Sequence, residues 1–381
     1  MTKRVTTIAA GRRRASWLLL FTLGVFAPVV TADIPELARQ AVREAVSDRD
    51  APAMAVVALR DGKPWFEVAA GLANPDAHIR MTVDTPVRIA SVTKPYVAAT
   101  LLILADQRQL PLDMPIAGLL SPQWQAVLRD GGYDPLRITL DHLLTHSAGF
   151  PDHADSWRYK LTAFLDKDRE WKALEQLELM TAMGDPLFEP GTEYHYSDTG
   201  YVVLGEIITN LVEEPLSSVV RRHARFAALG LSNTWWERFE QAPGGAAPRA
   251  RQYIYGFDVT DINATTDLFG GGGLLASTRD MAAFFAALFG NSPAGGSVFQ
   301  QPQLQAQMLT GGVTSDGYSY HRGVVVFRRN GTLVYSHGGF WGTAVNHYPE
   351  HGITIAITVT ERSGREAMYQ LLNAAIDELE P

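Results

Sequence analysis

The 381-residue chain contains no cysteine. Disulfides, thiolate chemistry and a lipid-carrying N-terminal cysteine are therefore excluded, and an exported form must rest on its hydrophobic core alone. Basic blocks are also scarce. After Arg14 no more than two cations stand side by side, and the formal net charge is −8. An acidic chain without such blocks argues against nucleic acid as a partner. Beyond the N-terminus no window is both long and apolar enough to span a bilayer. The sequence has no Gly-x-Ser-x-Gly, which disfavours a serine mounted on an α/β-hydrolase elbow. It also has no internal repeat and no low-complexity run.

What remains is ordinary for a globular protein: 46% hydrophobic and 19% charged residues, with length for one large or two modest domains. The N-terminus is the exception. Lys3, Arg4 and Arg12-Arg13-Arg14 precede an apolar stretch from Ala15 to Val30, followed by Thr31-Ala32. That order of charged, apolar and small residues is a secretory signal, with cleavage expected after Ala32 or, failing cleavage, an N-terminal anchor. Loss of residues 1–32 removes five cations and no acids, moving the net charge from −8 to −13. The expected location is exported, periplasmic or secreted, and any membrane association would run through the N-terminus alone.

Along the chain, residues 35–46 read as an amphipathic helix. Two strands follow at 54–59 and 64–70, joined by the hairpin signal Asp61-Gly62. From 101 to about 263 the patterns are mainly helical and broken by loops. Strands return at 324–328 and 333–336 around Asn330-Gly331, then at 343–348 and 353–360. A closing helix is expected over 364–380. Strands at both ends with helices between predict an α+β fold of the α/β-sandwich type. An antiparallel sheet, discontinuous in sequence and flanked by helices, would carry an inserted, mainly helical domain. The sheet part is about 33–100 with 265–381, and the helical part about 101–264.

Chemistry concentrates first at Ser91-Val92-Thr93-Lys94, which opens an apolar helix. Positions i and i+3 share a helix face, so Lys94 can sit beside the Ser91 hydroxyl. The helix N-terminus favours nearby negative charge, and a serine needs an adjacent base before it attacks. A second polar group, Tyr196-Ser197-Asp198, precedes another apolar helix. Tyr196 can relay protons, because a cationic neighbour lowers a phenol's pKa. Asp198 can orient the lysine or accept from a substrate amide. A third, His337-Gly338-Gly339-Phe340, ends a strand and exposes backbone N–H groups, as an oxyanion hole requires. Taken singly, each also reads as a helix cap, a packed aromatic or a glycine turn.

Together the three motifs resemble the class C β-lactamase and penicillin-binding serine hydrolase superfamily, which includes D-alanyl-D-alanine carboxypeptidases and related esterases. Two further stretches, Leu143-Leu144-Thr145-His146-Ser147-Ala148-Gly149-Phe150 and Gly272-Gly273-Leu274-Leu275-Ala276-Ser277-Thr278-Arg279-Asp280, are similar to the same superfamily, and the resemblance spans roughly residues 35–375. It implies that Ser91 accepts the acyl group, Lys94 is its base and Tyr196 the second proton-transfer group. It implies an oxyanion hole from the amides of Ser91 and Phe340, with Asp198, His337, Gly338 and Gly339 lining the substrate site. No metal or cofactor is implied. The expected reaction is acyl transfer to water through acyl-Ser91. The substrate would be a small ester, a D-amino-acid peptide or a peptidoglycan-derived peptide. A β-lactamase, or a sensor that binds penicillin or peptidoglycan fragments without turnover, is the alternative.

Two departures from the superfamily pattern bear on substrate. Asp198 stands where asparagine is usual and, ionised, cannot donate to an amide carbonyl. His337-Gly338-Gly339 lacks the lysine and hydroxyl residue that hold a substrate carboxylate, and histidine is mostly neutral at pH 7. Both weigh against efficient β-lactam hydrolysis. His142 and His146 have a zinc-like spacing but no glutamate beside them and no evident third ligand, so core and capping roles are expected. Gly270 to Gly273 reads as a hinge or close-packing signal. Of the aromatics Phe150, Trp157, Tyr159, Trp235, Trp236, Phe269 and Trp341, most are expected to pack, and any in the cleft would favour an apolar group.

Overall fold

Asp61-Gly62 and Asn330-Gly331 each put two consecutive residues at positive φ, 50° and 71° in the first, 49° and 88° in the second. That is the mirror-image turn whose twist matches paired strands. The first joins strands Ala53–Arg60 and Lys63–Asn74, and the second joins Val325–Arg329 and Thr332–Gly339. The computed structural model describes residues 34–47, 52–290, 292–315 and 317–378, and the expected export signal at 1–32 lies outside them. Among the described residues no helix is long and apolar enough to cross a membrane.

The two hairpins belong to one nine-stranded antiparallel sheet. From edge to edge its strands are Ile79–Arg80, Lys63–Asn74, Ala53–Arg60, Ile353–Val359, Thr343–Tyr348, Thr332–Gly339, Val325–Arg329, Tyr318–Tyr320 and Val313–Ser315. The first and last long strands pair in the middle, Met54 opposite Val359 and Arg60 opposite Ile353. Strand Ala53–Arg60 is buried on both faces up to Leu59. Alternation divides it cleanly. Ala53, Ala55, Val57 and Leu59 enter one core and Met54, Val56 and Ala58 the other.

The second core is closed by helix Ile34–Ser47 through Ile34, Ala38, Val42 and Ala45, and by helix Arg365–Asp377 through Met368, Leu371, Leu372 and Ile376. On the other face, the larger core takes in helices Lys94–Arg108, Asp198–Val212 and Thr278–Phe289. The result is the mixed fold expected: helices on both sides of an antiparallel sheet assembled from the two ends of the chain. The edge strand Val313–Ser315 and its neighbour Tyr318–Tyr320, the short strands Pro86–Arg88, Trp235–Trp236 and Leu274–Ser277, and helix Thr278–Phe289 carry no assignment from the sequence. The last three strands form a separate sheet in the order Pro86–Arg88, Leu274–Ser277, Trp235–Trp236. It delivers the chain to Ser91.

Candidate active site

Strand Pro86–Arg88 is locked before it reaches the serine. Arg88 Nε and Nη2 donate to the two Glu237 carboxylate oxygens at 2.6 and 3.0 Å, and Nη2 also donates to the Ile262 carbonyl at 2.5 Å. Ile89 N–H then donates to the Leu274 carbonyl at 3.1 Å. Ala90 follows at φ 48°, a left-handed conformation that a residue with a Cβ adopts only when its surroundings hold it there. Residues Ala90–Thr93 form a 3₁₀ turn, and the helix proper starts at Lys94 with Pro95 in its first turn. Ser91 therefore stands on a tight turn just ahead of the helix, one step earlier than the pattern suggested.

Lys94 is completely buried. Its Nζ lies 3.1 Å from Ser91 Oγ, 2.5 Å from Asp198 Oδ1 and 2.6 Å from the Gly271 carbonyl. Three donors meet three acceptors, so an ammonium here is fully satisfied. Asp198 opens helix Asp198–Val212. Its approach is set by the preceding residue: Ser197 N–H donates to His146 Nδ1 at 3.2 Å and Ser197 Oγ to the Pro151 carbonyl at 2.9 Å.

Tyr196 lies close enough to Ser91 for the serine hydroxyl to favour ionisation of its phenol, and its ring centroid lies 5.0 Å from Lys94 Nζ. Its phenol is raised well above the usual tyrosine value, first by burial and then by the Asp198 carboxylate. The expectation that a cation would lower it is thus reversed, because loss of solvent and a nearby negative charge outweigh Lys94. Tyr196 is a protonated hydroxyl in the resting site. Its ring rests on His146, 4.2 Å between centroids.

His337 sits one layer back. It is buried, and its Nδ1 and Nε2 are bonded to the Gly338 carbonyl at 2.9 Å and the Tyr320 hydroxyl at 3.0 Å. Burial, with Lys94 adding to it, pushes its pKa down to about 3, so the ring is neutral. Gly339 brings the strand against the nucleophile turn, since a Cβ there would lie 2.2 Å from the Ile89 carbonyl. Phe340, the next residue, shares a cavity wall with Ser91. His142 and His146 serve separately, one in a capping box with Thr139 and the other beneath Tyr196.

The cavity holds about 210 Å³ and opens beside Ser91 and Asp198. Ala163, Phe164, Ile254, Ile262, Phe340 and Trp341 are among the apolar residues that line it. Of the aromatics considered above, Tyr159 and Trp341 line it, Phe150, Trp235 and Trp236 are buried elsewhere, and Trp157 is 71% exposed. Two participants have no motif. The Gly271 carbonyl accepts from Lys94, and Asp267 lines the cavity above Gly272. The glycine run at 270–273 was the available signal, and it is close packing that it marks.

The Beta-lactamase family model matches residues 38–378. Esterase EstB of Burkholderia gladioli is 36% identical over 187 residues, 48% of this chain and 45% of that protein. The D-alanyl-D-alanine-carboxypeptidase/endopeptidase AmpH of Escherichia coli is 26% identical over 240 residues, 61% of this chain and 56% of that one. The aligned stretches thus span about half the length of these two relatives. Among solved structures, a D-stereospecific amidohydrolase from Streptomyces sp. superposes with a TM-score of 0.75 at 23% identity, covering 90% of this chain and 98% of the other. A penicillin-binding protein homologue from Pyrococcus abyssi gives 0.72 at 22%, covering 90% and 78%. At such identities the structures speak for the fold. The family model covers nearly the whole described chain, and on that ground the protein belongs to the Beta-lactamase family of serine hydrolases.

Proposed function

We propose that the protein hydrolyses a carboxylic ester or a D-amino-acid-containing peptide through a covalent acyl-Ser91 intermediate. The observation that carries this reading is the 3.1 Å contact between Ser91 Oγ and a Lys94 amine that has no exposure to solvent. In the proposed reaction Lys94 takes the Ser91 proton as it gives one of its own to Asp198 Oδ1. Ser91 Oγ bonds to the substrate carbonyl carbon, and the amides of Ser91 and Phe340 face the oxygen that becomes negative. Collapse expels the alcohol or amine, which takes a proton back from this network. Tyr196, protonated and close to the Ser91 hydroxyl, is the donor best suited to pass it. Water then repeats the attack on the acyl group. Export through residues 1–32 is part of the same proposal and rests on the sequence.

Ser91→Ala should abolish hydrolysis of a small p-nitrophenyl ester while the circular dichroism of the protein stays unchanged. Turnover persisting in that variant would refute the nucleophile. A stable mass adduct with a β-lactam, and no release of product from any ester, would point to the sensor instead.

A further inference from the structure

The wall of the acyl cavity is mostly apolar. Three carboxylates, Asp198, Asp152 and Asp267, lie within the field of Lys94. Asp198 takes Lys94 at 2.5 Å. Asp152 is buried away from the cavity and accepts from the Ala154 amide at 3.0 Å. Asp267 differs from both. It lines the cavity together with Ser91 and Asp198, and it has no ion-pair partner among the described residues. The residue beneath it is shaped to admit it, because a Cβ on Gly272 would lie 2.1 Å from Asp267 Oδ1. Lys160, the cation on the cavity wall, is spoken for at the rim: it is 59% exposed and paired with Asp155 at 2.8 Å. No three acidic or histidine side chains among the described residues are grouped to hold a metal ion.

A half-buried carboxylate facing a largely apolar cavity, with no ion-pair partner of its own and Lys94 and Arg88 acting on it only from farther off, is stabilised by a ligand that brings a cation to it. Burial and the neighbouring Asp198 push its pKa up to about 7, the state of an acid that a bound cation would ionise. We infer that Asp267 binds the ammonium of the substrate, so that the preferred acyl group is an α-amino acyl with a free amine and an apolar side chain. The α-nitrogen lies two bonds from the carbonyl carbon, and so its partner must share the nucleophile's cavity, as Asp267 does. The side chain has room. About 210 Å³ exceeds the roughly 150 Å³ of an apolar cavity that takes up benzene. An N-acylated substrate would leave Asp267 unpaired, which sets this class apart from interior peptide segments.

This inference rests on the acyl-Ser91 reading, and the test separates the two. The kcat/KM values of the full chain are compared for each enantiomer of phenylalanine methyl ester and for methyl 3-phenylpropanoate, which lacks only the amine. The expected result is a preference of at least tenfold for one amino ester, falling at least fivefold in Asp267→Asn. An α-ammonium also activates an ester chemically, so the preference in the unmodified protein is not sufficient. If the ratio is the same in Asp267→Asn, the inference is overturned. Should that variant not fold, competition decides: 2-phenylethylammonium must inhibit the unmodified protein at least tenfold more tightly than 2-phenylethanol, and equal inhibition overturns the inference. If neither ester is turned over, or if Ser91→Ala still hydrolyses them, it is the acyl-enzyme reading that fails. Calorimetric binding of 2-phenylethylammonium against 2-phenylethanol then still decides the role of Asp267.

Discussion

Lys94 Nζ stands 2.5 Å from Asp198 Oδ1, with the lysine wholly enclosed and the carboxylate 21% exposed. The carboxylate satisfies the cation from one side and borders the acyl cavity on the other. An ionised acid in that place repels an amide carbonyl, whereas an asparagine would keep the acceptor for Lys94 and add an N–H₂ donor. One hydrogen bond gained by the substrate amide corresponds to about 1 kcal/mol. Asp198→Asn should therefore raise the ratio of cephalosporin acylation to ester hydrolysis by about fivefold to tenfold, measured with a chromogenic cephalosporin and a p-nitrophenyl ester. Its absolute ester rate should fall, because Asn cannot take the Lys94 proton. An unchanged ratio would mean that Asp198 does not meet the substrate.

Arg88 holds the strand that leads to Ser91. Burial opposes ionisation of Glu237, yet the Arg88 and Arg249 guanidiniums outweigh it and keep that carboxyl below its usual range. Both Arg88 and Glu237 are largely buried, and the fork of Arg88 also reaches the Ile262 carbonyl. A lysine has one nitrogen for these tasks and cannot span them. Arg88→Lys should lower unfolding free energy by about 2–4 kcal/mol in urea titrations, and lose esterase activity through the displaced nucleophile turn. A loss under 1 kcal/mol would show that the guanidinium geometry is dispensable.

The parts of the molecule legible in the sequence are those set by local chemistry. Asp61-Gly62 and Asn330-Gly331 announce their hairpins because positive φ at both positions favours those residues. Ser91, Lys94 and Tyr196 stand out because nucleophile, base and hydroxyl are needed in fixed relation. Strand Tyr318–Tyr320 is three residues long and gains its stability from pairing with Val325–Phe327, a fact of the fold rather than of its own pattern. The direction of the Tyr196 shift depends on burial, which no neighbouring residue encodes. Asp267 is found only once Gly272 is seen beneath it.

His347 offers a measure of buried neutral histidine. Its Nδ1 is bonded to Thr354 Oγ1 at 2.8 Å, and burial pushes its pKa from 6.5 down to about 4. The folded-state value is depressed, so the unfolded chain takes up the proton first. The stabilisation from His347 is present above pH 6.5 and is lost as pH falls toward 4. By pH 5 the loss is roughly 2 kcal/mol. His347→Gln should therefore be destabilising at pH 8, with the deficit shrinking by about that amount at pH 5. Raised acids such as Asp280 titrate in both proteins and cancel in the difference. A deficit equal at both pH values would mean that His347 carries no such shift.

Gly338 and Gly339 are adjacent on the strand beside the nucleophile, opposite Ala344 and Thr343, yet they face different obstacles. A Cβ on Gly338 would meet the Tyr369 hydroxyl at 2.6 Å, the far end of a flexible side chain that can turn away. A Cβ on Gly339 would lie 2.2 Å from both the Ile89 carbonyl and Thr343 Oγ1, and those two atoms are themselves bonded at 3.0 Å. Backbone cannot yield there without moving the turn that carries Ser91 or the amide of Phe340. Displacement of that order at a reacting centre costs about a hundredfold in rate. Gly339→Ala should thus lower kcat/KM for a p-nitrophenyl ester by about that factor, mostly in kcat, with a stability loss of about 1–3 kcal/mol. Gly338→Ala should lose less than tenfold. Equal losses in the two variants would show that strand Thr332–Gly339 does not set the geometry around Ser91.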